Sequence, residues 1–467
     1  MLFRTLDELE DALRPALARD RQEVREIVDA DMLRDRLVDR LVYNAVFHSD
    51  VEIKSHARFV IKSAAARLGV FPASIQALYA EKGHGRHLEF TVPAINLRAM
   101  TYDGARAVFE AAQARQAGAF LFEIARSEIA YSDQWPSEYA AVVLGAAIKT
   151  GFSGPLFLLG DHFQVRAASF FGDPELEMEA IRILIRHSLK SGFFNIDIDA
   201  STLVDLRKEN LAEQQRLNCD LTATFTQFIR QQQPVGVTVA VGGEIGEVGG
   251  KNSTVEELHA FMEGYRLSLE KLARDVPGLC KISVQTGTTH GGVPLPDGSI
   301  ARVNLDFPTL SKLSVVARKL YGLAGAVQHG ASTLPLDLFH RFPEATAAEI
   351  HLATGFQNLL LDHPRFPADL RVEIYDYLRE KCARWRREGQ SDEQFLYKNR
   401  KRALKPFKRT LWDLPGEIRE VFRTDMRSVV GTMFDQLGVA GTRSIVETCI
   451  QPIEYRATLD QERELIR

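Results

Sequence analysis

Hydrophobic positions fall into two textures along the chain. Over residues 1–85 apolar side chains recur at three- and four-residue spacing among many charges, as at Leu33, Leu37, Leu41 and Val42, which predicts amphipathic helices. The tract E-K-G-H-G-R-H at 81–87 interrupts that pattern and marks a boundary. Beyond it, short apolar runs alternate with longer stretches of helical spacing. The runs are F-T-V-P-A-I-N-L (90–97), A-F-L-F-E-I (119–124), P-L-F-L-L-G-D (155–161) and F-F-N-I-D-I-D (193–199). They continue with V-G-V-T-V-A-V (235–241), C-K-I-S-V-Q-T (280–286), A-G-A-V-Q-H (324–329) and I-H-L-A-T (350–354). Such alternation predicts a parallel sheet with helical crossovers. Eight runs over roughly 270 residues suit a (β/α)8 TIM barrel, which takes about 250 residues. An open doubly wound sheet is the alternative, but the G-x-G-x-x-G expected after its first strand is absent. After about residue 358 the spacing is helical again. The expected organisation is therefore a helical N-terminal extension (1–85), a barrel (86–358) and a helical C-terminal extension (359–467), with the ends capping the barrel or building an oligomer interface.

Composition narrows the setting. The chain has 467 residues, 45% of them apolar, and a formal charge of -4, which offers no general attraction to nucleic acid or acidic membranes. No apolar stretch approaches the length of about 20 residues that spans a bilayer, and the acidic M-L-F-R-T-L-D-E-L-E-D start does not read as a signal peptide. Cys219, Cys280, Cys382 and Cys449 are scattered, which fits a reducing compartment. A cytoplasmic protein is expected, with no nucleic-acid or membrane partner and with a homo-oligomer as its assembly. A basic run from Lys398 to Lys405, continuing through Lys408 and Arg409, reads as a solvated helix face or subunit contact rather than a polyanion site.

Chemistry in such a barrel sits where strands run into their helices. Those positions carry Asn96, Ser127, Asp161, His162, Asp199, Ser201, Glu244, His290, His329 and Thr354. One histidine at a strand end is more often a hydrogen-bonded structural residue than a ligand. Three, ending three different strands beside small or acidic residues, point to a catalytic zinc site with an open fourth position. By contrast, His48, His56 and His187 lie in helical texture and read as surface or satisfied core residues. The stretch V-G-G-E-I-G-E-V-G-G (241–250) has no P-loop spacing and reads as a glycine-hinged loop over the site.

Five of these segments, in order, resemble the motifs of the class II (zinc-dependent) fructose- and tagatose-bisphosphate aldolases, over roughly residues 90–358. L-L-G-D-H (158–162) resembles the family's Asp-His pair, implying His162 as a zinc ligand and Asp161 as the acid that protonates the aldehyde oxygen. I-D-A-S (198–201) is similar to I-D-G-S, and G-G-E-I-G-E-V-G-G (242–250) to A-E-L-G-x-x-G-G, which places Asp199 and Glu244 near the metal in secondary roles. G-T-T-H-G (287–291) resembles G-T-A-H-G, implying zinc ligation by His290 and substrate contact by Gly291. Q-H-G-A-S (328–332) resembles L-H-G-G-S, with His329 the third ligand and Gly330, Ala331 and Ser332 a phosphate cradle. Asn96, Ser127, His351 and Thr354 complete the expected contacts to a phosphorylated sugar.

The resemblance implies reversible aldol cleavage of a phosphorylated ketose with dihydroxyacetone phosphate as donor. Three departures from the family pattern stand out. K-N-S-T (251–254) replaces the acids after the glycine pair, leaving only Glu247, Glu256 and Glu257 nearby and the carbon-acid base unassigned. His351 stands where the family has a donor-binding asparagine, and Ala331 replaces a glycine. Two other readings compete: a non-catalytic partner subunit of a tagatose-bisphosphate-type aldolase, which the missing acids favour and the histidines oppose, and a metal hydrolase on a similar barrel, which the G-A-S segment opposes.

Overall fold

A computed structural model describes residues 1–20, 22–246, 250–287, 295, 305–453 and 455–466. Eight parallel strands close into a barrel: β1 (Val92–Asn96), β2 (Leu121–Ala125), β3 (Gly154–Gln164), β4 (Asn195–Asp199), β5 (Ala240–Glu244), β6 (Lys281–Val284), β7 (Ala326–Gln328) and β8 (Glu349–Leu352). Each strand pairs with the next, and β8 closes on β1 in the register Glu349↔Val92 to Leu352↔Ile95. Among the described residues no helix is long and apolar enough to cross a membrane.

All eight apolar runs overlap a barrel strand, but two strands depart furthest from their expected bounds. β5 begins at Ala240, near the end of its predicted run, and takes in Gly242 and Gly243. A side chain has no room at either glycine. A Cβ on Gly242 would lie 2.2 Å from Asp197 Oδ1 and 2.8 Å from Lys281 Cε, and one on Gly243 would lie 2.6 Å from Leu279. Glycine inside a strand marks such close approach. β3 runs past Asp161 to Gln164, so the Asp-His pair lies within a strand and not at its end.

Alternation along the strands separates two environments. Ile196 and Ile198 of β4 are fully buried, and Asp197 and Asp199 between and after them share the opposite face. That inner face carries charge in several strands. Lys281 Nζ lies 2.9 Å from Asp197 Oδ2 and also pairs with Glu349, which in turn accepts from Tyr79. An ion-paired layer thus fills the centre of the barrel, where branched aliphatic side chains are the usual filling.

The N-terminal region is helical with two additions that periodicity does not predict. Leu17–Arg19 and Val24–Ile27 form a hairpin whose turn is held by Asp20 Oδ1, which accepts from the amides of Gln22 and Glu23 at 2.8 and 2.9 Å. Val70–Pro72 pairs in parallel with the start of β3. These strands have three or four residues each, too few to show a period. The C-terminal region is helical in its described elements. Helix Gly416–Gln436 packs against helix Thr101–Arg115 beside the barrel. Met100, Leu360, Phe366, Leu370, Phe395, Leu404, Phe407 and Phe422 form a second, smaller apolar core beneath the helices after β8.

The terminal helix Leu459–Ile466 docks on helix Val51–Arg67 through a buried pair, Lys62 Nζ to Glu462 Oε1 at 2.6 Å. Beside this pair, His187 Nε2 donates to the Leu465 carbonyl at 3.1 Å. Burial, reinforced by the nearby Lys62 and Arg58 and opposed by the Leu465 carbonyl and Glu462, lowers its ring to about 4. The folded state therefore binds fewer protons here than the unfolded state, whose histidine titrates near 6.5. The stabilisation is complete above pH 6.5 and declines as the pH falls toward 4, by at most about 1.4 kcal/mol per pH unit. Urea midpoints recorded between pH 7 and 4.5 are expected to fall more steeply for the native chain than for His187→Gln. Parallel curves would contradict this assignment.

Candidate functional site

The strand ends converge on a cavity of about 520 Å³ at the C-terminal mouth of the barrel. Its floor contains His162, His329, Asp161, His351 and Glu123. Ligand atoms of Asp161, His162 and His329 all lie within 4.8 Å of one another. The two imidazoles stand with ring centroids 4.3 Å apart, and His351 lies 4.0 Å from His329 on the other side.

A bulge aims His162. The pairing of β3 with β4 shifts register between Gly160 and Phe163, and His162 adopts φ +39°, a conformation that is unusual for a residue with a side chain. Bulges of this kind re-aim side chains beside active sites. The same bulge brings Phe163 so close to Gly160 that a Cβ there would lie 2.4 Å from the ring. Asp199 then fixes the imidazole: its Oδ2 accepts from His162 Nδ1 at 3.0 Å and from Gln164 Nε2 at 2.6 Å. Its Oδ1 accepts from the Ser201 amide and hydroxyl at 3.0 and 2.6 Å. Asp199 thus orients His162, and its hold on Nδ1 makes Nε2 the atom that would coordinate a metal. Glu244 Oε2 sits 3.8 Å from His162 Nδ1 and 3.7 Å from His329 Nε2. Burial pushes the Glu244 carboxyl up to about 8.

His351 occupies a different environment. Its Nδ1 is 2.6 Å from Glu123 Oε2 and 3.3 Å from Asp161 Oδ1, while its Nε2 is 2.6 Å from Glu349 Oε1. Carboxyl groups flank both nitrogens, with a hydrogen bond to Glu349 at Nε2. Burial opposes the charge, but Glu123 and Asp161 hold the ring well above its usual value. Asp161 is the counterpart: burial raises it, yet the imidazoles of His162 and His351 outweigh that and keep it well below the usual range. Glu123 goes the other way, pushed up to about 8 by burial. Geometrically, His351 could also join metal-type groups with Glu123 and Asp161 or with Asp197 and Glu349. Of the three groups, those of Asp161, His162 and His329 and of Glu123, Asp161 and His351 line the cavity, and the first alone offers two imidazoles to a divalent ion. Neutral imidazole nitrogens and a carboxylate oxygen suit such an ion.

The remaining expected residues surround this floor. Asn96 and Ser127 line the cavity, and Asn96 Nδ2 donates to Glu128 Oε2 at 2.6 Å. Gly330, with φ +73°, turns the chain after His329 into the short helical turn Ala331–Thr333. Helix Thr354–Leu361 starts against that turn so closely that a Cβ on Gly355 would lie 2.4 Å from the Ser332 carbonyl oxygen. His290 and Gly291 lie outside the described residues, as does Glu247 of the glycine loop. Of the other acids in that region, Glu257 Oε2 accepts from the Thr254 amide at 2.7 Å as part of a capping box, and Glu256 is solvent-exposed beside it.

Several site residues escape a reading of strand ends alone: Glu123, Asp197, Lys281 and Glu349 inside the strands, Arg98 and Glu128 after β1 and β2, and Lys398 and Lys401 far downstream. Three of the first four, Asp197, Lys281 and Glu349, did leave a signal. N-I-D-I-D, K-I-S and E-I-H each place polar residues two apart in an apolar run, the mark of one polar strand face.

The model of the fructose-bisphosphate aldolase class-II family matches residues 83–410. No curated protein sequence matches the chain. Among solved structures, the fructuronate-tagaturonate epimerase UxaE from Cohnella laeviribosi aligns at 11% identity and TM-score 0.57, covering 82% of this chain and 86% of that one. A protein described as a probable tagatose 6 phosphate kinase, from Sinorhizobium meliloti 1021, aligns at 16% identity and TM-score 0.51, covering 80% and 96%. A fructose-bisphosphate aldolase from Campylobacter jejuni aligns at 17% identity and TM-score 0.45, again covering 80% and 96%. At such identities the likeness to the first two concerns the fold alone. The family match, spanning well over half of the sequence, carries more: the chain belongs to the class-II fructose-bisphosphate aldolase family.

Proposed function

We propose that this chain is a zinc-dependent aldolase that reversibly cleaves a phosphorylated ketose, with dihydroxyacetone phosphate as the donor product. The observation that carries the reading is the gathering of Asp161, His162 and His329 within 4.8 Å at the cavity floor, in a chain of this family. His162 and His329 would hold the zinc, with His290 as the third ligand. Bound zinc would supply the Lewis acid that stabilises charge on the donor's oxygens.

The chain's own groups do the rest. Asp161, held ionised by its two imidazole neighbours, takes the hydroxyl proton in cleavage and returns it to the aldehyde oxygen in condensation. Its Oδ1 stays 3.3 Å from His351 Nδ1, which steadies the carboxylate between turnovers. Backbone amides of Gly330, Ala331 and Ser332 and the start of helix Thr354–Leu361 hold the donor phosphate. Asn96, Ser127 and Thr354 position the sugar chain from the walls.

The direct test is to incubate the chain with dihydroxyacetone phosphate in D₂O and follow loss of the C3 proton signal, with and without a chelator. Chelator-sensitive exchange is expected. Absence of exchange in zinc-loaded protein would remove dihydroxyacetone phosphate as donor. Asp199→Ala, which frees the His162 ring, is expected to weaken zinc binding by about 10- to 100-fold, measured by competition with a chromophoric chelator. Wild-type affinity in that variant would show that Asp199 does not orient the ligand.

A further inference from the structure

Two groups of acids lie inside the barrel, and they are compensated differently. Asp197 and Glu349 share the ammonium of Lys281. Nearer the mouth, Glu123 and Asp161 are 1% and 5% exposed, and among the described residues no lysine or arginine pairs with either. What faces them both is the His351 ring, 4% exposed, whose Nδ1 lies 2.6 Å from Glu123 Oε2 and 3.3 Å from Asp161 Oδ1.

Neither contact has the geometry of a hydrogen bond. Glu123 Oε2, Asp161 Oδ1 and His351 Nδ1 are buried atoms without a hydrogen-bond partner among the described residues. A proton shared by His351 and Glu123 would serve two of these atoms and leave Asp161 Oδ1 bare. Buried charges that no side chain neutralises coordinate metal ions. The three groups offer ligand atoms that all lie within 4.8 Å of one another, close enough for one cation to touch them together.

The far side of the ring suits the same purpose. His351 Nε2 donates to Glu349 Oε1 at 2.6 Å, and Glu349 is itself paired with Lys281. A ligating imidazole donates its second N–H to a carboxylate, which fixes the ring and leaves the other nitrogen to coordinate. Asp199 holds His162 in the same way. Glu123, Asp161 and His351 also line the cavity, which gives an ion its route from solvent.

We propose that Glu123, Asp161 and His351 form a second divalent-cation site, distinct from the one built on His162 and His329, and that it takes a harder ion than zinc, of the Mn²⁺ class. Two carboxylate oxygens and one imidazole favour such an ion, whereas the neighbouring pair of imidazoles favours zinc. Glu123 and His351 serve this site alone, and the ion would steady Asp161 at Oδ1. The nitrogen comes from His351, so a chain with the asparagine of the aldolase motif at 351 would lack the site.

The test is a Mn²⁺ titration of the full chain already loaded with one equivalent of zinc, read by room-temperature EPR of the free ion. One equivalent of Mn²⁺ is expected to bind the wild type. E123Q and H351N should lose it while keeping zinc, with circular dichroism and melting curves to check that both are folded. E123D, which keeps the charge, should bind Mn²⁺ more weakly than wild type but more tightly than E123Q. H162A should still take up one Mn²⁺, because all three ligands remain. No Mn²⁺ bound by wild type, or an undiminished equivalent in E123Q and H351N, would overturn the proposal. Loss of Mn²⁺ in H162A with retention in E123Q would move the ion to the histidine pair and overturn it too. None of these readings involves turnover, so a failure of the aldolase reading, seen as missing donor exchange, stays distinguishable from a failure of this one.

Discussion

His162→Ala is expected to abolish zinc binding and donor proton exchange together, while leaving the fold intact. The imidazole is presented by a bulge and held by Asp199. Metal content after dialysis and the exchange rate in D₂O should therefore fall in parallel. Asp161→Asn provides the contrast. It removes the group that moves the hydroxyl proton, so turnover should drop by about 10²–10⁴-fold while zinc is retained. Exchange that persisted in metal-free His162→Ala would sink the site assignment, and loss of zinc in Asp161→Asn would make Asp161 a ligand and not the proton carrier.

Lys281→Met should be the most damaging single change to stability. Lys281 is 2% exposed and sits between Asp197 and Glu349, which otherwise face the His351 ring at 3.8 and 2.6 Å. Removing one partner from a buried ionic group costs about 3–5 kcal/mol, because the remaining charge is left uncompensated. The folded state makes the same point from the other side. Burial disfavours the Glu349 carboxylate, yet Lys281 and His351 bring it down to about 2. A carboxyl depressed in this way contributes stability that is complete above its unfolded value of about 4.5 and is lost as the pH falls toward 2. In Lys281→Met that dependence should weaken, so the deficit in urea midpoint is expected to be largest near neutrality and smaller in acid. A deficit below 1 kcal/mol at neutral pH would mean that the barrel centre is not held by this pair. Lys281 is equally unsuited to act as a nucleophilic amine, since the two carboxylates hold it as an ammonium, with its pKa raised well above the ordinary lysine value.

Much of the architecture was legible because hydrophobic periodicity is local. A strand of four or five residues buried on its outer face must be apolar at alternate positions, whatever lies across the barrel. The eight runs therefore mark eight strands, with Asp161, Glu244 and His329 beside the mouth. Other features depend on partners far away in sequence. Glycines 242 and 243 read as the start of a loop, and only the nearness of Asp197, Lys281 and Leu279 makes them strand residues. His351 reads as a replaced donor contact, but carboxyl groups from β2, β3 and β8 surround its buried ring and shift its titration upward.

By itself, the sequence determined the strand–helix order and the family motifs with the histidines they carry, because each is written in contiguous residues. Only the tertiary structure decided which ring Asp199 turns toward the metal position, which charges neutralise one another inside the barrel, and which two lysines of the basic run line the cavity. Charge compensation is a property of distances in space. Lys401 lies 270 residues along the chain from Tyr131, and no local pattern records that its ammonium sits 5.4 Å over that ring.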